Sequence, residues 1–193
     1  MKIDRRAIGM LGVGALMISA AAWLAMPATA AAGAKDDKLI EQAETQLTIA
    51  LKLAEQSLAP HKVGSGWTRM HMQQVINVLQ GEQGPDFKAK VENPGDGHGA
   101  VTYLKAAQDA LANDQISPEV KEALSHTMAY LEEATEHAKR SIKGANVAEV
   151  HGHARLAVGM LMAALGSAES TSPVTGGLRY VRSALVKTSM PAK

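Results

Sequence analysis

The sequence predicts an all-α protein whose core is an antiparallel four-helix bundle, built from a helical hairpin that occurs twice. Three observations lead to this prediction. Ala, Leu, Met, Gln and Glu dominate the chain and aromatic residues make up only 3% of it, a composition that favours helices. Apolar residues recur at spacings of three and four, as in helices with one buried face. The chain also matches itself when it is shifted by 80 residues.

The first predicted repeat, residues 37–112, contains two long helices, a loop of turn-forming residues and a short helix. Pro60 ends the first helix, because proline cannot continue a helix, and Gly81 ends the second. Each long helix has one apolar stripe. The predicted ranges are 37–59 and 67–80 for the long helices, 81–99 for the loop and 100–112 for the short helix.

The second predicted repeat, residues 117–190, has the same order of elements. Ser117 is the expected N-cap of its first helix, with Pro118 in the first turn, and Gly144 closes that helix. Asn146 is the expected N-cap of the next helix. The predicted ranges are 118–143 and 147–165 for the long helices, 166–175 for the loop and 178–187 for the short helix.

The internal match includes residue types that rarely align by chance in alanine-rich helices. The pairs are Gly64 with Gly144, His71 with His151 and, after a three-residue slip in the loop, Tyr103 with Tyr180. Two copies of a helical hairpin can bury their apolar stripes against each other as a four-helix bundle. We therefore expect residues 37–190 to form one domain, with the two short helices covering the flanks or ends of the bundle.

Residues 1–30 predict an export signal that is cleaved near Ala30. A basic start precedes a long apolar run that ends at Pro27, and Ala28-Thr29-Ala30 has the small-x-small pattern of a cleavage site. Residues 31–36 are then a short linker. These features predict a periplasmic protein with no stable membrane anchor once the signal is removed.

The start of this signal resembles the twin-arginine export signal. Arg5-Arg6 is followed by Ala7-Ile8, so paired arginines precede a hydrophobic residue at the expected position. The resemblance implies that the protein crosses the membrane already folded. An ordinary secretory signal that carries two arginines is the alternative.

Charge and cysteine content exclude several classes of function. Removal of the signal takes away three basic residues and one acidic residue, which changes the formal net charge from +1 to −1. That balance argues against nucleic acid or an anionic membrane as a partner. The chain has no cysteine, which excludes disulfides, iron–sulfur clusters, covalently attached haem and thiolate metal sites. A cofactor would have to be held by His, Met, Tyr, carboxylate or amide groups.

His71 and His151 are the primary candidates for metal ligands. Each lies on the apolar stripe of its predicted helix, and the two positions are equivalent in the internal match. Two imidazoles that face each other across a bundle could bind a transition metal ion, or ligate the iron of haem b from both sides. The alternative is a pair of buried histidines satisfied by hydrogen bonds, with Tyr103 and Tyr180 as candidate partners.

Four further residues are accessory candidates: Met70, Met72, His98 and His153. Thioether and imidazole groups together suit copper(I), although methionine is also a common filler of helical cores. Neighbouring residues on a helix point about 100° apart, so Met70, His71 and Met72 cannot all bind one ion. His153 points about 200° from His151 and is expected to face away from the core.

Three glutamates precede a histidine by four residues, and we expect them to form ion pairs on helix surfaces. The pairs are Glu122 with His126, Glu133 with His137 and Glu149 with His153. Ferritin-like di-iron bundles need a Glu–His spacing of three instead. The sequence therefore gives no indication of a di-iron oxidase or ferritin.

The segment Gly95–Gly99 and the residues before it form an unusual loop. Asp86, Glu92, Asn93 and Asp96 offer oxygen ligands for calcium, but their spacing does not fit an EF-hand. A turn that caps the following helix explains the loop equally well.

No catalytic motif accompanies these candidates, so we do not expect an enzyme. The sequence predicts an exported helical-bundle binding protein that holds haem b or a transition metal between its core histidines. The alternative is a metal-free helical module that binds a small molecule or a protein. A periplasmic protein partner or a homodimer is compatible with either prediction.

Overall fold

The structure is a computed structural model that describes residues 28–60, 64–112 and 116–189, so the predicted export signal up to residue 27 lies outside the described residues. Within these ranges the chain forms six α-helices and no strand. The helices are α1 (Ala28–Ser57), α2 (Ser65–Gln80), α3 (Ala100–Ala112), α4 (Pro118–Lys143), α5 (Val147–Leu165) and α6 (Pro173–Ser189). The predicted all-α fold is confirmed.

Helices α4 and α5 begin at the caps that the sequence predicts. The Ser117 hydroxyl accepts a hydrogen bond from the Val120 amide at 3.4 Å. The Asn146 side chain accepts one from the Glu149 amide at 3.0 Å. Each cap satisfies an amide of the first turn that has no partner within the helix.

Three helix starts differ from the predicted ones, and the smallest difference is at α2, which begins at Ser65 instead of 67. Helix α1 begins at Ala28, so residues 31–36, predicted as a linker, are helical. Helix α6 begins at Pro173 instead of 178, because two helical segments meet at a kink at Gly177, where φ is 52°. The predicted helix is the segment after this kink.

The four long helices form a ring in which α1 packs on α2, α2 on α4, α4 on α5 and α5 on α1. Helices α1 and α2 form an antiparallel hairpin that is fastened near its turn, where the Thr68 hydroxyl donates to the Ser57 carbonyl at 2.9 Å. The α4–α5 hairpin has a similar bond, from the Ser141 hydroxyl to the Val150 carbonyl at 2.7 Å. The molecule is thus a helical bundle of packed pairs.

The pattern of packing partners is unchanged when α1, α2 and α3 are exchanged with α4, α5 and α6. Helix α1 packs on α3 as α4 packs on α6, α2 contacts α3 as α5 contacts α6, and α3 contacts α4 as α6 contacts α1. Helices α2 and α5 contact each other directly. This is the arrangement expected of a repeated hairpin, and the duplication itself stays a prediction.

Helix α2 is the most enclosed helix of the bundle. It packs against α1, α3, α4 and α5, and residues 71–79 are all buried. The predicted stripe residues His71, Val75 and Val78 are buried, and the other sides of the C-terminal half of α2 are buried as well, because they face another helix or the following loop. This enclosure buries polar side chains, namely Gln73, Gln74 and Asn77.

Glycines mark the points where α2 and α5 end against the next helix. Gly81 follows α2 with φ 70° and ψ −178°, and Gly166 follows α5 with φ 62° and ψ −158°. A Cβ at Gly81 would overlap the His98 carbonyl, and one at Gly166 would overlap the Gly176 carbonyl. Only glycine combines this conformation with so close a backbone approach.

Candidate functional site

His71 lies in the second turn of α2 and is only 7% exposed. Its ring meets the edge of Trp67 one turn earlier, with ring centroids 4.3 Å apart and planes at 75°. Neither ring nitrogen has a hydrogen bond of standard geometry, although the Gln74 side chain lies near enough to act on the ring as a hydrogen-bond acceptor. Burial lowers the pKa of His71, and the nearby Gln74 amide opposes this only in part. The imidazole is therefore neutral at neutral pH.

His151 occupies the second turn of α5 and is partly buried. Its Nε2 atom is also buried without a partner. The Arg69 guanidinium donates to the Gly144 carbonyl at 2.7 Å, which holds the start of α2 against the turn that leads into α5. His71 and His151 therefore lie at the same end of the bundle, on two helices in direct contact.

Most of the unpartnered buried polar atoms in the described residues lie on these two helix starts. They are the two ring nitrogens of His71, Nε2 of His151, Oε1 of Gln74 and Nε of Arg69, with Oδ1 of Asp37 the one elsewhere. A buried polar group without a partner costs about 1–3 kcal/mol. Such a concentration is the signature of a place where a water, an ion or a ligand supplies the missing partners.

The described residues do not complete a metal site around these histidines by themselves. No hydrogen bond or ring contact joins His71 to His151 in the described part of the chain. Nor does any group of three or more His, Asp or Glu side chains lie close enough there to hold an ion. An ion would therefore draw on these two rings and on water or amide oxygens.

The structure places His98 and Tyr103 at the opposite end of α2. His98 lies against Gly81, ten residues after His71 and about 15 Å further along the helix axis. Its ring contacts Tyr103, with centroids 5.8 Å apart. Tyr180 is likewise remote from His151, because it lies beside Gly176, where α5 ends. These three residues are not brought to the core histidines.

The two methionines beside His71 diverge, as expected from helix geometry. Met70 is 41% exposed, whereas Met72 is completely buried in the core. Met72 therefore acts as core packing, and Met70 faces solvent.

The polar side chains of the Gly95–Gly99 loop and of the residues before it form hydrogen bonds and ion pairs with other groups of the protein. Asp96 accepts hydrogen bonds from the His98 amide at 3.0 Å and from the Tyr103 hydroxyl at 2.6 Å. The Asn93 side chain accepts one from the Gly95 amide at 3.1 Å. Asp86 pairs with Lys139 at 3.0 Å. The loop thus fastens the start of α3, and the turn explanation accounts for its composition.

His153 faces α4, where its Nδ1 atom lies 3.2 Å from Nδ1 of His137. The rings are stacked, with centroids 5.4 Å apart and planes at 25°. Burial, followed by the charge of His153, lowers the pKa of His137. This contact across two helices was not predicted from the sequence.

Of the three predicted Glu–His ion pairs, Glu122–His126 is confirmed, at 3.6 Å. The predicted ion pair between Glu149 and His153 is wrong. The Glu149 carboxylate instead accepts hydrogen bonds from the Ala145 amide at 2.8 Å and the Asn146 side chain at 3.1 Å. Glu149 thus belongs to the cap at the start of α5.

No helix in the described part of the chain is long and apolar enough to span a bilayer. No protein-family model, curated protein or solved structure matches this chain.

Proposed function

We propose that this chain is an exported helical-bundle protein that binds one transition metal ion through His71 and His151. The observation that carries the proposal is the presence of buried, unpartnered ring nitrogens at both of these equivalent positions. A metal ion would give these nitrogens a partner and remove the cost of leaving them unsatisfied. Neutral imidazole is also the form that binds metals.

The donors favour an ion of the nickel, copper and zinc group. Imidazole nitrogen suits these ions, whereas magnesium and calcium prefer oxygen. Gln74 lies one turn after His71, and its buried Oε1 lies near the ring without a hydrogen bond of standard geometry. This oxygen could bind the ion directly or orient a bound water.

Haem b, the other cofactor expected from the sequence, does not fit these histidines. Helices α2 and α5 pack directly, with Cα atoms within 8 Å of each other. A porphyrin ligated from both sides would have to separate them. Neither histidine lines the cleft between α1 and α6 or the smaller one beside Asp86 and Lys139. A single ion needs no such space, so the proposal is restricted to it.

Metal content and binding would test the proposal. Protein exported by its own signal and purified without chelator should contain transition metal by elemental analysis, with one ion per chain at this site. The variants H71A and H151A should each contain one ion per chain fewer than wild type, whereas H126A, which alters a half-buried histidine on α4, should match wild type. Full metal retention by H71A or H151A would refute the proposal.

A second variant separates loss of binding from loss of folding. H71L replaces the buried ring with an apolar side chain, which should leave the helices folded, because removing an unsatisfied polar group can be neutral or stabilising. H71L should therefore contain one ion per chain fewer than wild type and keep a wild-type circular dichroism spectrum. An H71L protein with the wild-type metal content would contradict the assignment.

A metal-free binding module is the second candidate, and a cleft between α1 and α6 favours it. The cleft has a volume of about 710 Å³, and Glu44, Arg179 and Arg182 are among its lining residues. This volume is within the range of small-molecule sites, about 300–1,000 Å³. A metal-free wild-type protein whose unfolding midpoint rises with an organic anion would favour this candidate.

The proposed location rests on residues 1–30. We expect the N-terminal sequence of exported protein to start near residue 31. A mature protein that retains the apolar run would contradict export with cleavage.

A further inference from the structure

His137 and His153 form a contact that none of the interactions described above explains. His137 projects from α4 and His153 from α5, and their Nδ1 atoms are 3.2 Å apart. Both residues are partly buried where the two helices pack. The contact shares no residue with the proposed core site. It joins α4 to α5, whereas His71 and His151 lie on α2 and α5.

The separation of the two nitrogens fits two ligands of one metal ion. Zinc binds imidazole nitrogen at about 2.0–2.1 Å. Two nitrogens bound to one ion at this distance, with an angle of about 90–109° between them, are about 2.8–3.4 Å apart. The observed 3.2 Å lies within this interval. A hydrogen bond between two neutral rings has a similar length, and it would close the same contact without an ion.

We propose that His137 and His153 form a second metal site, which binds one divalent ion of the nickel, copper and zinc group through both Nδ1 atoms. Two carboxylates, Glu133 and Glu136, act on the His137 ring in favour of a positive charge, whereas Arg140 acts against it more strongly than either one. Glu133 lies one turn before His137, on the same side of α4.

This site is open to exchange. In the described residues no third His, Asp or Glu lies close enough to complete a group of ligands, so water occupies the remaining positions. A bound ion would join α4 to α5 and thereby stabilise the second hairpin. An ion held by two side chains and water binds less tightly than one in a closed four-ligand site, and it can be passed on.

The test must separate this site from the core histidines, so it uses the double variant H71L/H151L as its background. We expect zinc titration by calorimetry to show one bound ion in this background and no response to magnesium. Adding H137Q or H153Q should weaken zinc binding at least about tenfold, since even loss of an outer-sphere partner costs that much. Adding H126Q should leave the affinity unchanged.

The outcomes distinguish the two proposals. If the background binds no zinc, or if H137Q and H153Q bind it as the background does, the second site is refuted and the contact is a hydrogen bond. If wild type binds only the ion that H137Q removes, the core-histidine proposal fails while the second site stands. Unfolding midpoints should rise with zinc in the background and stay constant after H137Q is added.

Discussion

At the scale of single residues, Asn77 shows how a side chain inside a helix can organise a loop. Its amide nitrogen donates to the carbonyls of Lys88 and Val91 at 3.1 and 3.0 Å. Its oxygen accepts from the Lys88 amide at 3.0 Å and from Gln73 at 3.2 Å. Asn77 is completely buried, so these bonds satisfy it where water cannot reach.

The bond between Asp96 and Tyr103 predicts a stability that depends on acid pH. Burial raises the pKa of Asp96, but the Tyr103 hydroxyl and the amides of His98 and Gly99 outweigh burial and lower the pKa below 3.8. The stabilisation is therefore full above the unfolded pKa and is lost as pH falls through the folded value. Y103F should cost about 1 kcal/mol near neutral pH. Urea unfolding should show this difference shrinking once Asp96 is protonated.

The same bond should be visible at alkaline pH. Burial and then Asp96 raise the pKa of Tyr103 to about 12. Its stabilising effect is thus complete below the unfolded pKa of 10.0 and is lost as pH rises through about 12. Tyrosinate absorbance should contain a step near this value that Y103F lacks and Y130F retains. A Y103F protein with wild-type stability at every pH would contradict the assigned role.

At the scale of elements, the glycines that end α2 and α5 should be intolerant of a side chain. Alanine at Gly81 or Gly166 would combine a positive φ with overlap of the opposite backbone. We expect G81A and G166A each to cost about 2 kcal/mol or more in free energy of unfolding. G159A is the matched control, since nothing lies near its Cβ, and it should gain about 0.5–1 kcal/mol. Equal stability of G81A and G159A would contradict this prediction.

Most helix ends could be predicted because local chemistry decides them. Pro118 after Ser117, Asn146 and Gly81 act within one turn, and the structure has the helix ends there. The starts of α1 and α6 could not be predicted in this way. Residues 28–36 are rich in alanine but have no apolar stripe. In α6 the kink at Gly177 hides a first helical segment that is too short to show periodicity.

The candidate sites could be predicted only in part, because periodicity assigns a side chain to a face but not to a neighbour. The burial of His71 follows from its stripe. The contact of His137 with His153 depends on how far α4 and α5 slide along each other, which no pattern within either helix specifies. The cap at Asn146 also competes for Glu149, and this competition leaves His153 free to face α4.

At the scale of the whole molecule, the last helix, α6, packs against the first described helix, α1. Arg182 pairs with Glu41 at 3.5 Å and with Glu44 at 3.0 Å, whereas Arg179 pairs with Glu44 at 3.3 Å. Higher numbers on α6 thus meet lower numbers on α1, and the two helices run antiparallel. The end of α6 therefore approaches the N-terminal part of α1. When the two halves are exchanged, this contact between α6 and α1 corresponds to the contact between α3 and α4.

The exchange of halves predicts that a circular permutant will fold. A chain that begins at Ile116, runs through α4 to α6 and continues by a short Gly/Ser linker into residue 37 and α1 to α3 keeps all six helices, with α1 shortened to residues 37–57, and the packing pairs among them. It should have wild-type helical content by circular dichroism and unfold cooperatively within a few degrees of a matched 37–189 protein. A permutant opened between Ala129 and Tyr130 is the control, and it should be strongly destabilised because it interrupts α4.

If both permutants fail alike, the α6–α1 contact does not bring the two ends together as described. If only the control fails, the order of the halves along the chain is immaterial to the packing, as a repeated hairpin requires.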